Sequence, residues 1–271
     1  MKKKKVSLII PITHTLPGDW FVNFLSFMTY NMQLFELDIK AFSWYLTAES
    51  RNDGIRKTLA GKHKVDYLFF LDADNMPAKN TIAHLMHADK DIISALYFER
   101  KPPFYPVIRK IDKHGRLYIP TEIEPNTLMR VDAAGAGCLL VRRKVFEKIP
   151  EPWFKVEKDE KGRVLGEDVY FFLKAKKYGF KAYVDTSCIC PHWGAVIDEK
   201  PWKYYHERGQ YEKNKPNEPK IELTGECKKC KLVNALWDTL AQDPDLQLKA
   251  YQEFKRRVMP KTDLERFVGG D

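Results

Sequence analysis

Apolar residues along this chain gather into short unbroken runs separated by longer periodic segments. Runs of strand length occur at Val6 to Ile10, Val65 to Leu71, Asp91 to Tyr97, Ala136 to Val141 and Lys181 to Cys190, and Asp38 to Leu46 forms a weaker one. Unbroken runs, rather than alternating ones, suit strands covered on both faces in the middle of a parallel sheet. Between them, Trp20 to Gln33 has the length and apolar content of a helix. Asn52 to Lys62 places Ile55, Leu59 and Ala60 on one side, with Asn52 as a helix cap. Asn80 to His87 reads as a short helix with Thr81 as its cap. Asp168 to Tyr178 reads as a helix closed by Gly179. Pro11 ends the first strand, Lys101 to Pro106 is a proline-rich loop, and Arg116 to Pro120 is one side of a hairpin. Strands alternating with helices predict an α/β fold with a mostly parallel central sheet.

The pattern changes beyond residue 196. Asp198 to Lys220 is polar and aromatic, and Leu232 to Leu240 and Leu246 to Val258 read as two helices broken at Asp243-Pro244. The expected organisation is a main domain over 1–196, then a lid or acceptor segment with a C-terminal helical tail over 197–271. The 271 residues are 44% hydrophobic, enough for a large core and too apolar for a disordered chain. Residues 197–271 hold 15 Lys/Arg against 14 Asp/Glu, so +8 of the formal +9 lies in 1–196. A basic main domain suits a phosphate-bearing ligand or nucleic acid, and the tail is no basic arm. The lysines at positions 2–5 precede too short an apolar run for a signal peptide, and nothing approaches a spanning helix. A cytoplasmic protein is expected. Five cysteines do not suggest a disulfide framework.

In a parallel α/β sheet, ligands sit beyond the carboxyl ends of the strands. Pro11, Asp72 and His192 fall at or just past three such ends. Asp72 and Asp74, two apart at the exit of a buried run, are hard oxygen donors that can hold Mg2+ or Mn2+ with diphosphate oxygens. The plainer reading is a polar strand end with Asp as turn former. Gly166-Glu167-Asp168 opens a helix, so Glu167 and Asp168 either complement its N-terminus or supply a general base for a hydroxyl. His192 is a candidate metal ligand, and Trp193 beside it a candidate stacking surface. A lone histidine is more often structural. Gly135, Ala136 and Gly137 allow close backbone approach but lack a dinucleotide-binding spacing. Glu49-Ser50-Arg51-Asn52 precedes a helix, where Arg51 can meet a phosphate or a base and Asn52 can cap. Cys227-Lys228-Lys229-Cys230 is half a zinc site, and Cys188 and Cys190, on one face of a strand, could complete four cysteines for a structural Zn2+. Two unrelated cysteine pairs remain the favoured reading.

Taken in order, these segments resemble the GT-A glycosyltransferases, especially the family 2-like enzymes. The resemblance covers roughly residues 5–196. The opening Val6 to Pro11 resembles their first nucleotide-binding strand, Val65 to Asp74 their metal-binding strand, and Gly135 to Leu140 their acceptor-side strand. Gly166-Glu167-Asp168 resembles their Glu-Asp motif and His192 their third metal ligand. Asp89 to Ile92, Phe98 to Pro103 and Gly166 to Phe171 also resemble uncharacterised phage and bacterial GT-A-like proteins. The early acidic residue that reads the base is not obvious, and Glu49 or Arg51 stands near its place.

The resemblance implies an inverting, metal-dependent transfer of a sugar from a nucleotide-diphosphate sugar, a UDP-sugar foremost, to an acceptor hydroxyl. Asp72, Asp74 and His192 would hold Mn2+ or Mg2+, and Asp168, helped by Glu167, would be the base. Pro11, Thr13, Glu49, Arg51, Asn52, Asp72, Ala73 and Trp193 would line the nucleotide-sugar pocket. Hydroxymethylated bases in phage DNA are one acceptor that the charge permits. A nucleotidyltransferase and a non-catalytic nucleotide-binding protein are the alternatives. The first lacks its Gly-rich basic loop, since residues 13–18 hold one glycine and no Lys or Arg.

Overall fold

The computed structural model describes residues 3–12, 16–43, 46–62, 64–100, 103–158, 162 and 164–193. The tail expected over 197–271, its boundary at 196, Thr13, Cys227 and Cys230 lie outside the described residues. The chain runs β1 (Lys5–Ile12), α1 (Gly18–Leu34), β2 (Glu36–Ser43), α2 (Thr47–Ala60), β3 (Tyr67–Leu71), α3 (Thr81–His87) and β4 (Ile92–Leu96). It continues through β5 (Ile108–Ile111), β6 (Leu117–Tyr118), β7 (Leu128–Val131), β8 (Ala133–Ala134), β9 (Cys138–Arg142) and α4 (Arg143–Lys148). It closes with β10 (Glu157–Lys158), β11 (Val164–Leu165), α5 (Glu167–Lys177) and β12 (Ala182–Ile189).

Among the described residues, seven strands form the main sheet in the order β2-β1-β3-β9-β4-β12-β7. β2, β1 and β3 are parallel neighbours, as are β4 and β12. β9 runs antiparallel between β3 and β4, and β7 antiparallel on β12. The fold is therefore α/β with a mostly parallel sheet, as the alternation of runs predicts. β9 inherits no direction from its sequence, since an apolar run reads the same either way. β5 also pairs with β6 and with β8, a small sheet beside the main one.

Both faces of the sheet are covered, which is why the central strands are apolar without alternation. Leu68 and Phe70 of β3 pack with Ile55 of α2, Phe146 of α4 and Phe171 of α5. Tyr67, Phe69 and Leu71 turn the other way, toward Trp20 and Phe27 of α1 and Leu85 of α3. All five β3 residues are buried. Each such side chain contributes about 1.5–3 kcal/mol relative to exposure. Among the described residues, no helix is long and apolar enough to cross a membrane.

Three local expectations are corrected. Pro11 does not end β1, which continues to Ile12. Beyond Ile9, β1 pairs only with β2, so a residue without an amide donor is tolerated there. Thr81 is the first helical residue of α3, with Asn80 at the cap position. Helix α2 begins at Thr47, five residues before Asn52, so Glu49, Arg51 and Asn52 lie inside it and Asn52 is no cap.

Helix α2 lies against β1 through Gly54. A Cβ built there would stand 2.6 Å from Ile9 Cγ2, closer than real carbons approach. Gly54→Ala therefore forces helix and strand apart. The expected loss is about 1–3 kcal/mol of unfolding free energy in urea denaturation, despite the higher helix propensity of alanine.

Candidate active site

The pleat of β3 decides where Asp72 points. Leu68 and Phe70 face α2 and α5, and Asp72 is next in that alternation. Its amide donates to the Gly137 carbonyl at 2.9 Å, which carries the strand pairing one residue further. Its carboxylate meets Arg51 of α2, whose Nη2 lies 2.7 Å from Oδ1 and 3.0 Å from Oδ2. Arg51 Nη1 donates to Glu167 Oε1 at 2.9 Å and stands 3.8 Å from Asp168 Oδ1. One guanidinium, 1% exposed, thus faces three carboxylates from a strand end and a helix N-terminus.

Phe154 supports that guanidinium. Its ring lies under Arg51 at 5.3 Å and stacks on Phe171 of α5 at 4.8 Å. Asn52 grips the Phe154 backbone on both sides, donating to its carbonyl at 2.8 Å and accepting from its amide at 3.0 Å. These contacts correct two expectations. Asn52 is buried, with its amide group committed to the interior, and does not line a nucleotide pocket. Arg51 is buried and its charge is taken up by carboxylates, so it is no free phosphate ligand.

Burial of Arg51 works against its charge, but Asp72, Asp168 and Glu167 outweigh that and hold it firmly protonated. Asp168 is in the opposite position. Burial raises its carboxyl to about 7, Glu167 and Asp72 add to the rise, and Arg51 opposes it. Three carboxylates against one cation leave a surplus of negative charge, which adds to burial in raising the proton affinity of Asp168. Because the folded value lies above the unfolded one, protonated Asp168 favours the fold, and that contribution is lost as pH rises through about 7. Asp168 Oδ2 also accepts from the Ala136 amide at 3.3 Å. Its position in the first turn of α5 adds the dipole of the helix.

Asp74 belongs to a second group. Its carbonyl accepts from the Trp193 amide at 2.6 Å, and Asn75 bridges to His192, so the turn after β3 is tied to the chain after β12. His192 Nδ1 lies 2.5 Å from the Phe98 carbonyl, which can only accept. That contact puts the proton on Nδ1 and leaves Nε2 3.9 Å from Asp74 Oδ1. The two donors lie within the span of two bonds of about 2.1 Å to one divalent cation. Asp74 also pairs with Arg100 at 3.1 Å. Among the described residues, no cluster of three His, Cys, Asp or Glu is close enough to hold a metal. The oxygens of Asp72 are on Arg51, apart from the Asp74–His192 pair beside which it was expected.

Tyr97, at the end of β4, stands between the two groups and was not singled out in the sequence. Its ring meets His192 edge-on at 5.0 Å, and its hydroxyl accepts from the Gly137 amide at 3.0 Å. Burial, with Asp168 and Asp72 nearby, keeps that hydroxyl protonated far above the usual tyrosine range. A Cβ at Gly135 would fall 1.6 Å from it, so Gly135 leaves the room that Tyr97 occupies, while a Cβ at Gly137 would instead meet Asn75 and Asp72. An aromatic residue at a strand's carboxyl end was the available signal.

The remaining expected residues are scattered. Pro11 is buried in β1 and Ala73 is half-buried in the turn after β3. Glu49, in the first turn of α2, pairs with Arg56 at 3.5 Å. Trp193 is 40% exposed beside His192. Cys188 and Cys190 are core thiols, packed with Cys138, Phe69 and Leu71. Burial, with Cys190 beside it, pushes the Cys188 thiol up to about 12.

No family model matches the sequence, and no curated protein matches it. Among solved structures the chain is similar to A197 from STIV, at 22% identity over 72% of this chain and 87% of that one, with a TM-score of 0.51. It is more loosely similar to the catalytic domain of Drosophila β1,4-galactosyltransferase 7 bound to xylobiose. There the identity is 16% over 75% and 79% of the two chains, with a TM-score of 0.42. A mutant of that enzyme, solved with manganese, UDP-Gal and xylobiose, gives 16% over 82% and 84%, with a TM-score of 0.39. These likenesses concern the fold alone.

Replacing Arg51 isolates its contribution. Arg51→Met leaves three facing carboxylates without their cation. It is expected to lose about 3 kcal/mol at pH 7, the lower end for a broken buried pair because the carboxylates are partly solvated. Without the guanidinium the folded-state carboxyls take up protons more readily, so much of the loss returns at pH 5. Urea denaturation at both pH values reads this, and an equal loss at the two would show that Arg51 acts by packing alone.

Proposed function

We propose that this chain is a GT-A-type glycosyltransferase that transfers a sugar from a nucleotide-diphosphate sugar to an acceptor hydroxyl with inversion. The observation that carries this reading is a carboxyl with proton affinity near neutrality, on Asp168, in one site with a metal-competent pair, Asp74 and His192. Both groups lie beyond the carboxyl ends of parallel strands, where α/β folds bind ligands. The sequence resemblance to family 2-like GT-A enzymes supports the same assignment at the same residues.

Asp74 and His192 fit a divalent cation, Mn2+ or Mg2+, and such a cation would neutralise the departing nucleotide diphosphate. Two protein donors suit ions that take their remaining oxygens from phosphate and water. Asp168 accepts the proton of the acceptor hydroxyl as its oxygen bonds the anomeric carbon and the carbon–diphosphate bond breaks. Ionised Asp168 is the competent form, so Arg51 assists by limiting the rise in its proton affinity. Glu167 hydrogen-bonds Asp168 and shares Arg51, which fixes the orientation of the base. Trp193 offers a half-open aromatic face beside the metal pair for the donor sugar or the base. A UDP-sugar is the proposed donor. The surplus charge over residues 1–196 is compatible with an acceptor in DNA as well as a glycan, lipid-linked or protein hydroxyl.

A thermal-shift panel of nucleotide sugars with and without Mn2+ identifies the donor as the ligand that stabilises only with metal. Transfer of labelled sugar is then followed to glycans and to hydroxymethylated DNA in parallel. Asp74→Ala is expected to remove the metal-dependent stabilisation. Asp168→Asn should keep it while lowering transfer by about 100-fold or more. Pyrophosphate release from a nucleoside triphosphate would instead identify a nucleotidyltransferase.

The pH dependence is a separate test. Transfer under saturating substrates is expected to rise with pH through a limb near 7, because the base works only when ionised. Unchanged turnover in Asp168→Asn, or a flat profile between pH 5.5 and 8.5, removes Asp168 as the base.

A further inference from the structure

Arg100 is the exposed counterpart of Arg51. Each guanidinium meets a carboxylate at the exit of β3, yet the two are held differently. Arg51 is 1% exposed and hydrogen-bonds both Asp72 and Glu167. Arg100 is 55% exposed, and its Nη1 lies 3.1 Å from Asp74 Oδ2. Among the described residues it has no other partner. A solvated pair of this kind is weak and readily exchanged, whereas a buried, hydrogen-bonded one is costly to break.

The loop that carries Arg100 is anchored at its base. Val107 donates to the Tyr97 carbonyl at 3.0 Å, Glu99 donates to the Tyr105 carbonyl at 2.8 Å, and Phe98 bridges to Pro106. Arg100 follows directly, so its backbone starts from a fixed point while its side chain reaches into water. The same base supplies the Phe98 carbonyl that accepts from His192 Nδ1. One strand exit thus reaches both members of the Asp74–His192 pair, the imidazole through Phe98 and the carboxylate through Arg100. Asp74 Oδ1 is nearest His192 and Oδ2 nearest Arg100. A divalent cation taken up by Asp74 and His192 would share that carboxylate with the guanidinium, and the two positive charges would repel. A guanidinium displaced there stands beside the phosphate oxygens that complete such a cation's shell, and its planar donors match them.

We infer that Arg100 is an exchangeable counter-ion for Asp74 and a diphosphate ligand held in reserve. This exchange rests on the metal pair of the proposed function and adds a cation to it. Without metal, Arg100 neutralises Asp74. When a divalent cation takes the carboxylate, the guanidinium moves to the diphosphate oxygens of the ligand. Metal and diphosphate are then coupled through one side chain, since each favours the state in which Arg100 has left Asp74.

A double-mutant cycle in the absence of metal tests the exchange. Inorganic pyrophosphate is titrated calorimetrically into the full chain in EDTA at low ionic strength, for the parent, Arg100→Gln, Asp74→Asn and the double variant. In the parent the guanidinium is occupied, so Arg100→Gln should change pyrophosphate affinity by less than about twofold. Asp74→Asn frees the guanidinium and should tighten binding by about threefold or more, and adding Arg100→Gln should remove most of that gain. Both side chains are partly exposed, so melting temperatures within a few degrees of the parent show the fold intact. Equal effects of Arg100→Gln in the two backgrounds, as summed charge alone would give, or no gain in Asp74→Asn, overturn the inference. Binding of Mn2+ alone, followed by the paramagnetic resonance of the free ion, should be about threefold tighter in Arg100→Gln, because the competitor is gone. Unchanged or weaker Mn2+ binding overturns it equally. The cycle does not depend on sugar transfer. Coupling without transfer to any acceptor keeps the exchange and removes the proposed function, and metal-dependent stabilisation by a nucleotide sugar with an additive cycle does the reverse.

Discussion

The guanidinium of Arg51 is the group on which the rest of the site depends. A buried cation is costly unless its donors are met and its charge is answered. Here Asp72, Glu167 and Asp168 answer it from β3 and α5, while Phe154 lies beneath it. The same side chain therefore stabilises the packing of α2 against its neighbours and assembles the polar end of the site. Because the carboxylates outnumber the cation and Asp168 is buried, the Asp168 carboxyl is raised to about 7.

That imbalance is maintained by apolar scaffolding. Phe171 sits one turn after Asp168 on α5 and stacks on Phe154, so the face that holds the helix also sets where its first-turn carboxylates stand. Asn52, the next residue after Arg51, pins the Phe154 backbone. On the other side, β9 enters antiparallel between β3 and β4 and brings Gly135, Ala136 and Gly137 over the ends of those strands. The missing side chain at Gly135 leaves room for the Tyr97 hydroxyl, which accepts from the Gly137 amide, and the missing side chain at Gly137 leaves room for Asn75 and Asp72. The polar cluster is held by stacked rings and close backbone packing, features that tolerate little displacement.

Much of this was legible in the sequence for a definite reason. The central strands are covered on both faces, so they appear as unbroken apolar runs. The residues just past their ends, Asp72, Asp74 and His192, are located by those runs alone. Glu167 and Asp168 followed from the helix that they open. What escaped was polar burial. Arg51 and Asn52 lie on the inward face of α2, and their polarity disguised that face, so the helix was expected to begin at Asn52 rather than at Thr47. The direction of β9 and the partner of each carboxylate are long-range facts that no local pattern encodes. Tyr97 read as one more aromatic at the end of a strand.

The Asp72-Ala73-Asp74 segment shows most clearly what geometry adds. Two carboxylates two residues apart suggest two ligands for one ion. Asp72, however, still obeys the pleat of β3, paired to Gly137, and so points to the face where α2 and α5 present Arg51, Glu167 and Asp168. By Asp74 the strand has ended, and the turn is bound to the chain after β12 through Trp193 and His192. The pair is divided between two clusters by the backbone that carries it. Asp72 completes the charge cluster around Arg51 and Asp168, and Asp74 faces the imidazole whose Nδ1 is held by the Phe98 carbonyl. A spacing that looks like a single chelate thereby joins two separate polar groups across one turn, one around Arg51 and one around His192. The proposed function assigns acceptor activation to the first and leaving-group neutralisation to the second.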